Sequence, residues 1–379
     1  VTTIGIRAAA PALLQVRYPF LQDSLHSRYI GWTRCSCWED DNAGLSLCDQ
    51  LLLRPEPLSE PANNSTMITE AKWFMSHAWS YVFLDVMEAV EVFVERESPL
   101  EERDDVVIWF DMFSNSQHST INRPLEWWEG TFKSTVQKLG NVMMVLHPWD
   151  NPVALTRAWC VIEILAAIQT NCRFEVSMSK KESMRFNTML SEEGVVRSFH
   201  KMLSRVNSSK SAARYEADRD QIHAAVRRLL PQGFTDLDSM VLRVFEKWME
   251  KMLVAKMVAK IHSIGAEHPS TLATVNSLAG LYESQGKYEA AEPLYVRCLE
   301  DSTRILGAEH PSTLTSVNNL AGLYKSQGKY EAAEPLYVRC LEDSTRILGA
   351  EHPTTLSSVN NLAGLYESQG KYEAAEPLY

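Results

Sequence analysis

The chain has 379 residues, a formal net charge of −11 and seven cysteines. This length is sufficient for two or three domains, each with its own hydrophobic core. No stripe of Lys and Arg occurs, so nucleic acids and anionic membranes are excluded as expected partners. A charged-then-apolar leader and a run of about 18 apolar residues are also absent, and we therefore expect a cytoplasmic protein with reduced cysteines.

The first 66 residues show no clear helical or strand periodicity. Pro55, Pro57 and Pro61, followed by Asn63-Asn64-Ser65, interrupt this stretch and are typical of a linker. We therefore expect a poorly patterned amino-terminal segment and linker over residues 1–66.

Short apolar runs alternate with helical patterns over residues 67–180. Buried strands are predicted for Lys72–Ser76, Val106–Phe110, Val142–Leu146 and Arg173–Met178. Helices are predicted between them, for Phe83–Val94, Trp127–Leu139 and Leu155–Gln169. Alternating strands and helices with right-handed crossovers predict a doubly wound parallel sheet covered on both faces. We therefore expect a small flavodoxin-like α/β domain in this region.

Candidate site residues lie at the predicted carboxyl ends of these strands, where doubly wound sheets bind ligands. Trp79 and Asp111 follow the first two strands. Glu163 is the single carboxylate of an otherwise apolar helix, and it lies one turn after Trp159 on the same face. A carboxylate whose solvation is restricted by an indole often has a function. We expect Glu163 to be catalytic and Trp79, Asp111 and Trp159 to contact substrate.

The helix Arg157-Ala158-Trp159-Cys160-Val161-Ile162-Glu163-Ile164 resembles the S-x-W-C-x-x-E-[LI] helix of TIR domains. The strand around Trp73–His77 is similar to the F-[IL]-S-[YH] box of the first TIR strand. In TIR enzymes the glutamate of the helix motif cleaves NAD, so the resemblance implies this role for Glu163, with NAD as a substrate and no cofactor. Other TIR domains are adaptors, and the resemblance equally allows an effector or self-association role.

Three histidines offer a different interpretation of the same region. His77, His118 and His147 fall at or just past predicted strand ends and could form a metal site with Asp111. Hydrogen-bonded histidines are the more common finding at such positions, so we expect no metal. The G-x-x-x-x-G-K-[ST] loop of nucleotide triphosphatases is absent.

Residues 181–260 have a wholly helical pattern. Apolar residues recur with a 3.6-residue period over Ala212–Leu230 and Leu237–Ile261, with Pro231-Gln232-Gly233 between them. We expect a helical extension that closes the sheet domain and leads into the residues that follow.

A 42-residue unit begins at Gly265, Gly307 and Gly349 and occupies residues 261–379. The first two copies differ at 4 of 42 positions, and the third reaches Tyr379 within its second helix, so we expect the array to continue in a longer protein. A fixed period of this length indicates a solenoid of stacked units. Each unit is predicted to contain two antiparallel helices.

The spacings Leu320-Ala321-Gly322-Leu323-Tyr324 and Gly328-x-Tyr330-x-x-Ala333 resemble the tetratricopeptide (TPR) repeat. The 42-residue length, the EHP linker and the VNNLA…GKYEAAEPLY core are similar to kinesin light chain repeats. The groove of that family binds cargo peptides, so the resemblance implies a protein or peptide ligand. Kinesin light chains join the motor through an amino-terminal coiled coil, and no heptad pattern precedes these repeats.

Polar residues recur on the first helix of each unit, on the face opposite its apolar residues. Thr315, Asn318, Gly322 and Lys325 lie in a row, and stacking would align Asn276 and Asn360 with Asn318 along a groove. Asn side chains can donate to and accept from an extended backbone, so we expect these asparagines and Lys325 to bind peptide. The alternative is that recent duplication copied the asparagines without a function.

Together these patterns predict a multidomain protein with an α/β domain, intervening helices and an all-α solenoid of TPR repeats. We expect a signalling scaffold in which the repeats bind a protein or peptide and the TIR-like domain is the effector. An NAD hydrolase acting through Glu163 and a kinesin-light-chain-type motor cargo adaptor are the alternatives.

Overall fold

The computed structural model describes residues 4–7, 68–98, 106–110, 130, 132–190 and 194–378. The chain divides into two units. The sheet unit consists of Val1–Phe186 and Lys201–Trp248, and the repeat unit consists of Asn187–His200 and Met249–Tyr379. The helical extension predicted over 181–260 is therefore shared between the two units.

The sheet unit contains one six-stranded sheet. Its strands are β1 Ile4–Arg7, β2 Ile68–Glu70, β3 Trp73–Ser76, β4 Val107–Trp109, β5 Asn141–Val145 and β6 Arg173–Ser177. They lie in the order β2-β1-β4-β3-β5-β6. The four strands β3 to β6 are parallel, as predicted, whereas β1 and β2 are antiparallel and extend the sheet beyond β4. The sheet is therefore mixed, and residues 4–7 of the unpatterned segment belong to it.

The parallel strands are buried on both faces because helices cover both sides of the sheet. Trp73 and Met75 face helix α1, Phe83–Glu97, and pack with its Phe93. Phe74 points the other way and packs with Val136 of helix α2, Lys133–Leu139. This alternation is the period-2 pattern of a strand whose two faces are both apolar.

The helices agree with the predicted ones to within a few residues where both are described. After α1 and α2 come α3 Ala158–Gln169, α4 Lys180–Met189, α5 Val195–Leu203, α6 Glu216–Leu229 and α7 Phe234–Ile264. The beginning of the helix predicted at Trp127 lies outside the described residues. Short 3-10 turns occur at Val153–Thr156 and Ser208–Lys210. Within the described ranges, no helix has the length and apolar character needed to cross a membrane.

The repeat unit consists of pairs of antiparallel helices. The first helices are α8 Pro269–Ser284, α10 Pro311–Ser326 and α12 Pro353–Ser368. The second helices are α9 Tyr288–Leu306, α11 Tyr330–Leu348 and the short α13 Tyr372–Ala375, which a 3-10 turn, Glu376–Leu378, follows. The helical solenoid predicted from the 42-residue period is confirmed.

The first helices begin with a histidine cap. Nδ1 of His268, His310 and His352 accepts a hydrogen bond from the backbone N–H two residues later, at 3.1, 3.1 and 3.2 Å. The proline that follows each histidine lacks an N–H that would otherwise be unsatisfied there. The EHP sequence therefore fixes the start of every first helix.

Each second helix packs against the first helix of the next copy. Ala291 and Tyr295 form one core cluster with Leu320 and Leu323. Ala333 and Tyr337 form the equivalent cluster with Leu362 and Leu365 one repeat later. The apolar faces are thus shared between neighbours, as the repeat architecture requires.

The last part of α7 occupies the position of a second helix before the first repeat. Glu250 accepts hydrogen bonds from Tyr282 and Lys287, as Glu292 does from Tyr324 and Lys329. Glu250 and Glu292 are 42 residues apart. Because the contacts repeat with the period of the array, residues from Met249 to the end of α7 pack against the first helix of the first repeat as a second helix would.

Candidate functional sites

At β3 the direction in which successive parallel strands are added to the sheet reverses. From β3 the chain passes to β4 on one side and then to β5 on the other, so the carboxyl ends of β3 and β5 border the switch point. Ligands of doubly wound sheets bind at such points. Ser76 and His77 lie at the end of β3, and His147 lies two residues beyond β5.

Glu163 is hydrogen-bonded to the carboxyl end of β3. Ser76, the last residue of that strand, donates from Oγ to Glu163 Oε2 at 2.5 Å. One turn earlier on α3, Cys160 Sγ donates to the His77 carbonyl at 3.3 Å. The carboxylate is half-buried, while Ser76 and Cys160 are buried. These two bonds place the predicted catalytic glutamate at the switch point.

The predicted substrate-contacting residues are only partly described. Trp159 is half-buried and lies one turn before Glu163 on α3. Trp79 follows β3 and is 50% exposed, whereas Trp73, Trp109 and Trp149 are buried. Asp111 lies outside the described residues, as does His118. In the described part of the chain, no group of three or more His, Cys, Asp or Glu side chains is placed to hold a metal ion.

The loop after β5 is held by two groups that the sequence analysis did not single out. The Tyr81 hydroxyl accepts hydrogen bonds from the backbone N–H groups of His147 and Ala154, at 3.3 and 3.0 Å. Burial raises the pKa of Tyr81 far above its ordinary value, so the phenol stays protonated. Tyr81 thereby fixes the segment between β5 and α3.

Glu182 is the second of these groups, and its side chain is buried in α4. Its carboxylate accepts from the Trp149 N–H at 3.0 Å and from Arg185 at 2.7 and 2.9 Å. Burial alone would raise the pKa of Glu182, but the Arg185 guanidinium and the Trp149 amide outweigh it and lower the pKa. The Glu182 and Arg185 pair at i,i+3 was visible in the sequence, whereas its bond to the loop after β5 was not.

The first helices of the repeats form the second candidate site. On α10 the residues Thr315, Asn318, Gly322 and Lys325 are all partly exposed, and Leu314, Val317 and Ala321 opposite them are buried. The row predicted from the spacing therefore lies on one accessible face. We call this face, with the equivalent positions of α8 and α12, the first-helix face.

The asparagines of this face take part in bonds between neighbouring repeats. Asn276 Nδ2 donates to Ser316 Oγ at 3.2 Å, and Asn361 Nδ2 donates to Asn318 Oδ1 at 2.8 Å. Asn276 and Asn318 are half-buried, and Asn360 is exposed. Two of the three predicted ladder residues thus tie adjacent first helices side by side.

One position of the first-helix face changes its charge from copy to copy. Glu283, Lys325 and Glu367 occupy equivalent places in the three repeats. The Glu283 carboxylate accepts from Tyr295 Oη at 3.1 Å and from Ser326 Oγ at 2.9 Å. Burial raises the pKa of Glu283, although these two donors act in the opposite direction.

Lys325 and Glu367 have no such partners. Neither side chain forms an ion pair or hydrogen bond within the described ranges. The Lys325 ammonium lies across the first helix of the next repeat, 3.0 Å from where a Cβ on Gly364 would stand. It therefore presents a positive charge on the first-helix face. Glu367 lies one turn after Gly364 on the same helix and is exposed.

Comparison with known proteins found similar solved structures and one matching family. No curated protein matches the chain. Crystal structures of nearly identical TPR-like repeats from a candidate kinesin light chain of Podosopora anserina are similar, at 22% and 23% identity and TM-scores of 0.33 and 0.31. Each match covers 51% of this chain and 91% of the other. BtubC (BKLC) from P. vanneervenii is 15% identical over 68% of this chain and 89% of its own, with a TM-score of 0.33.

The family comparison agrees with the helix pairs described above. Residues 270–343 and 316–379 each match the tetratricopeptide repeat family. The carboxyl-terminal part of the chain is therefore a TPR array.

Proposed function

We propose that the chain is a protein-interaction scaffold whose first-helix face binds an extended segment of a partner protein. The observation that carries this proposal is the pair of bonds from Asn276 to Ser316 and from Asn361 to Asn318. Because these bonds join the first helices side by side, their partly exposed residues form one continuous polar surface. An extended segment can then contact several repeats at once.

The free hydrogen-bonding groups of the surface suit a peptide backbone. Asn318 uses its Oδ1 within the array and keeps its amide hydrogens, while Asn360 forms no bond within the described ranges. Each asparagine can donate to a carbonyl, and Asn360 can also accept from an N–H. Such contacts recognise a main chain and tolerate many side-chain sequences.

A peptide library displayed on phage and selected on the immobilised full chain tests this proposal. We expect enriched peptides whose affinity falls about five- to tenfold in Asn360→Ala, which is the loss expected for one hydrogen bond. Asn360 is the best test residue because its removal breaks no bond in the described part of the array. Glu342→Ala, on the exposed side of α11, is the matched control and should bind normally. Failure to enrich any peptide would contradict the proposal.

The motor cargo adaptor remains a narrower form of the same proposal. It requires that the full-length protein co-purify with a kinesin heavy chain. A purified heavy chain that does not bind in a direct assay would remove this version and leave the general scaffold proposal intact.

As a second function we propose that the sheet unit is a TIR-like effector that hydrolyses NAD through Glu163. Two features support this: the order of the four parallel strands and the bond between Ser76 and Glu163 at the switch point. In the reaction the C–N bond to nicotinamide breaks with its electron pair staying on the leaving nicotinamide, the water oxygen bonds to the ribose carbon, and that water releases one proton to the solvent. A fixed carboxylate stabilises the oxocarbenium-like charge that develops on the ribose.

Nicotinamide release by the full chain is the direct test of this second function. We expect Glu163→Gln to lower the release at least 100-fold, and Glu91→Gln, which changes an exposed carboxylate of α1, to leave it unchanged. Specific activity that rises with protein concentration would also support self-association through the TIR-like domain. Analytical sedimentation of the same samples would then measure the size of the assembly. Equal release by the Glu163 variant, or no release at any concentration, would contradict the enzyme proposal.

A further inference from the structure

The differences between the repeat copies are all confined to the first helices. Copies one and two differ at positions 273/315, 274/316, 277/319 and 283/325. Copies two and three differ at 312/354, 315/357 and 325/367 over the residues that both contain. The second helices α9 and α11 are identical over all 19 residues. The exposed side of a second helix tolerates substitution as well as any surface does, so tolerance alone does not explain this distribution.

The less conservative differences lie on the first-helix face or beside it. Positions 273/315/357 and 283/325/367 belong to this face, position 277/319/361 lies one turn after the first of them, and all three are half-buried or exposed. The two remaining positions exchange Ser and Thr only. The substitutions therefore change what the face offers to a ligand and preserve the packing beneath it.

The largest chemical change is the charge at position 283/325/367. The Glu283 carboxylate already accepts hydrogen bonds from Tyr295 and Ser326, so of the three side chains it is the least available to a ligand. Lys325 and Glu367 are unpaired, and no ion pair connects them to each other or to other described residues. Two adjacent repeats thus present one available positive charge and one available negative charge.

We propose that the partner segment is an extended peptide with an acidic and a basic side chain two residues apart, on the same face of the peptide. This inference rests on the proposed peptide-binding function. The acidic side chain binds Lys325, and the basic side chain binds Glu367. The spacing follows from the position of the Lys325 ammonium over Gly364, one helical turn from Glu367 on the same helix, which is a distance of about 5–6 Å. In an extended chain, side chains two residues apart point to the same face and are about 6.6 Å apart. Copy-to-copy variation at one position therefore sets the charge pattern of the bound segment.

Two substitutions test this proposal without disturbing the fold. Lys325→Glu introduces the residue that copies one and three already have at this position, and Glu367→Lys introduces the residue of copy two. Both side chains are therefore known to fit the same helix environment. The double variant exchanges the two charges and keeps the net charge of the chain.

The experiment is the phage selection described above, run in parallel on the full-length wild type and its variants. Wild type should enrich peptides with an acidic and a basic residue two positions apart, in one order along the peptide. Lys325→Glu should select two basic residues and bind the wild-type peptides about tenfold more weakly, since attraction becomes repulsion. The double variant should select the two charges in the opposite order. Glu342→Lys, on α11, is the control and should select the wild-type pattern.

The outcomes separate this inference from the function on which it rests. The charge inference would be overturned if the enriched peptides had no charge pattern, or if wild type and Lys325→Glu selected the same pattern. Either result would leave the peptide-binding proposal standing. If no peptide is enriched by any form of the chain, both proposals fail together.

Discussion

The sheet unit and the repeat unit build their candidate sites from contacts of very different range. In the repeat unit, the bonds that define the first-helix face connect residues 40 and 43 positions apart, about one repeat length. In the sheet unit, the bond from Ser76 to Glu163 spans 87 positions and the bond from Tyr81 to Ala154 spans 73. A site of the first kind follows from the period of the sequence, whereas a site of the second kind exists only when the whole sheet has formed.

The largest expected effect therefore concerns how far damage to a core spreads. Phe93 is fully buried against β3 and β4, and Leu320 is buried between the first and second repeats. Phe93→Ala should cost about 3–5 kcal/mol and Leu320→Ala about 2–5 kcal/mol of the free energy of unfolding. Hydrogen exchange should rise across all parallel strands for Phe93→Ala, but only in α9 to α11 for Leu320→Ala, because repeats interact with their nearest neighbours.

Leu84→Ala is a matched control for this comparison, since Leu84 lies on α1 and is 51% exposed. It should change stability by less than about 0.5 kcal/mol. Uniform loss of protection through α8 to α12 in the Leu320 variant would show that the repeat unit unfolds as one block. The proposed contrast between the two units would then be wrong.

The next effect tests the buried carboxylate of the sheet unit. Glu182→Gln should destabilise this unit by about 1.5–3 kcal/mol at neutral pH, because the bonds from Arg185 and Trp149 lose a charged acceptor. The folded-state pKa of Glu182 is lowered, so its stabilisation is complete above about pH 4.3 and disappears as the pH falls through the lower folded value. Tryptophan fluorescence measures this directly, because all ten tryptophans precede residue 249.

The denaturation midpoint of the wild type should fall more steeply below pH 4.3 than that of Glu182→Gln. Parallel curves for the two proteins would mean that Glu182 has the same pKa in the folded and unfolded states. Glu91→Gln, at an exposed ion pair, should give the wild-type curve.

The elements of the fold that the sequence predicted correctly are those whose neighbours are set by a short period. The strands β3 to β6 were predicted because each is a short run of consecutive apolar residues buried on both faces. The solenoid and the polar row from Thr315 to Lys325 were predicted from a period of 42 residues and a helical spacing. Glu163 was singled out because a single carboxylate in an apolar helix is rare, and its catalytic role stays a prediction.

The residues that were missed depend on distant partners. Strand β1 has four residues and pairs with β2, more than 60 positions away, so no local pattern indicates it. Tyr81 and Glu182 act on the loop after β5 through bonds to backbone N–H groups, which leave no trace in side-chain spacing. Glu250 could have been found, since it precedes Gly265 by the same interval as Glu292 precedes Gly307. Its neighbours along α7 differ too much from a repeat for the match to be evident.

A smaller effect compares two glycines of the second repeat. Gly328 has a φ of +73° after α10, so Gly328→Ala should cost about 1–2 kcal/mol through backbone strain alone. Gly322 lies inside α10, where alanine is favoured by up to about 1 kcal/mol. A Cβ there would lie 3.5 Å from Tyr337 Oη, an ordinary contact, so Gly322→Ala should stabilise the repeat. Thermal unfolding of the two variants should therefore shift in opposite directions from the wild type, and a loss of stability in both would show that α10 needs the close approach of Tyr337.

The smallest expected effect concerns Glu283 in the repeat unit, whose pKa is shifted in the opposite direction to that of Glu182. The folded-state pKa of Glu283 is raised by burial, so ionised Glu283 opposes folding at neutral pH. This cost is relieved as the pH falls through the raised folded pKa towards about 4.3, the value of the unfolded chain. Glu283→Gln should change stability by less than about 1 kcal/mol at pH 7, because the amide oxygen still accepts from Tyr295 and Ser326.

Local hydrogen exchange in α8 and α10 is the appropriate measurement for Glu283. The pKa values of Glu292 and Glu334 are lowered, so in a measurement of global stability their opposite pH dependence would mask the effect of Glu283. Between pH 7 and about pH 4.5, the protection of these helices relative to Glu283→Gln should increase in the wild type as the pH falls. A decrease would mean that the bonds from Tyr295 and Ser326 outweigh burial. In that case the carboxylate of the first repeat would resemble Glu182, and the two units would share one way of holding a partly buried acid.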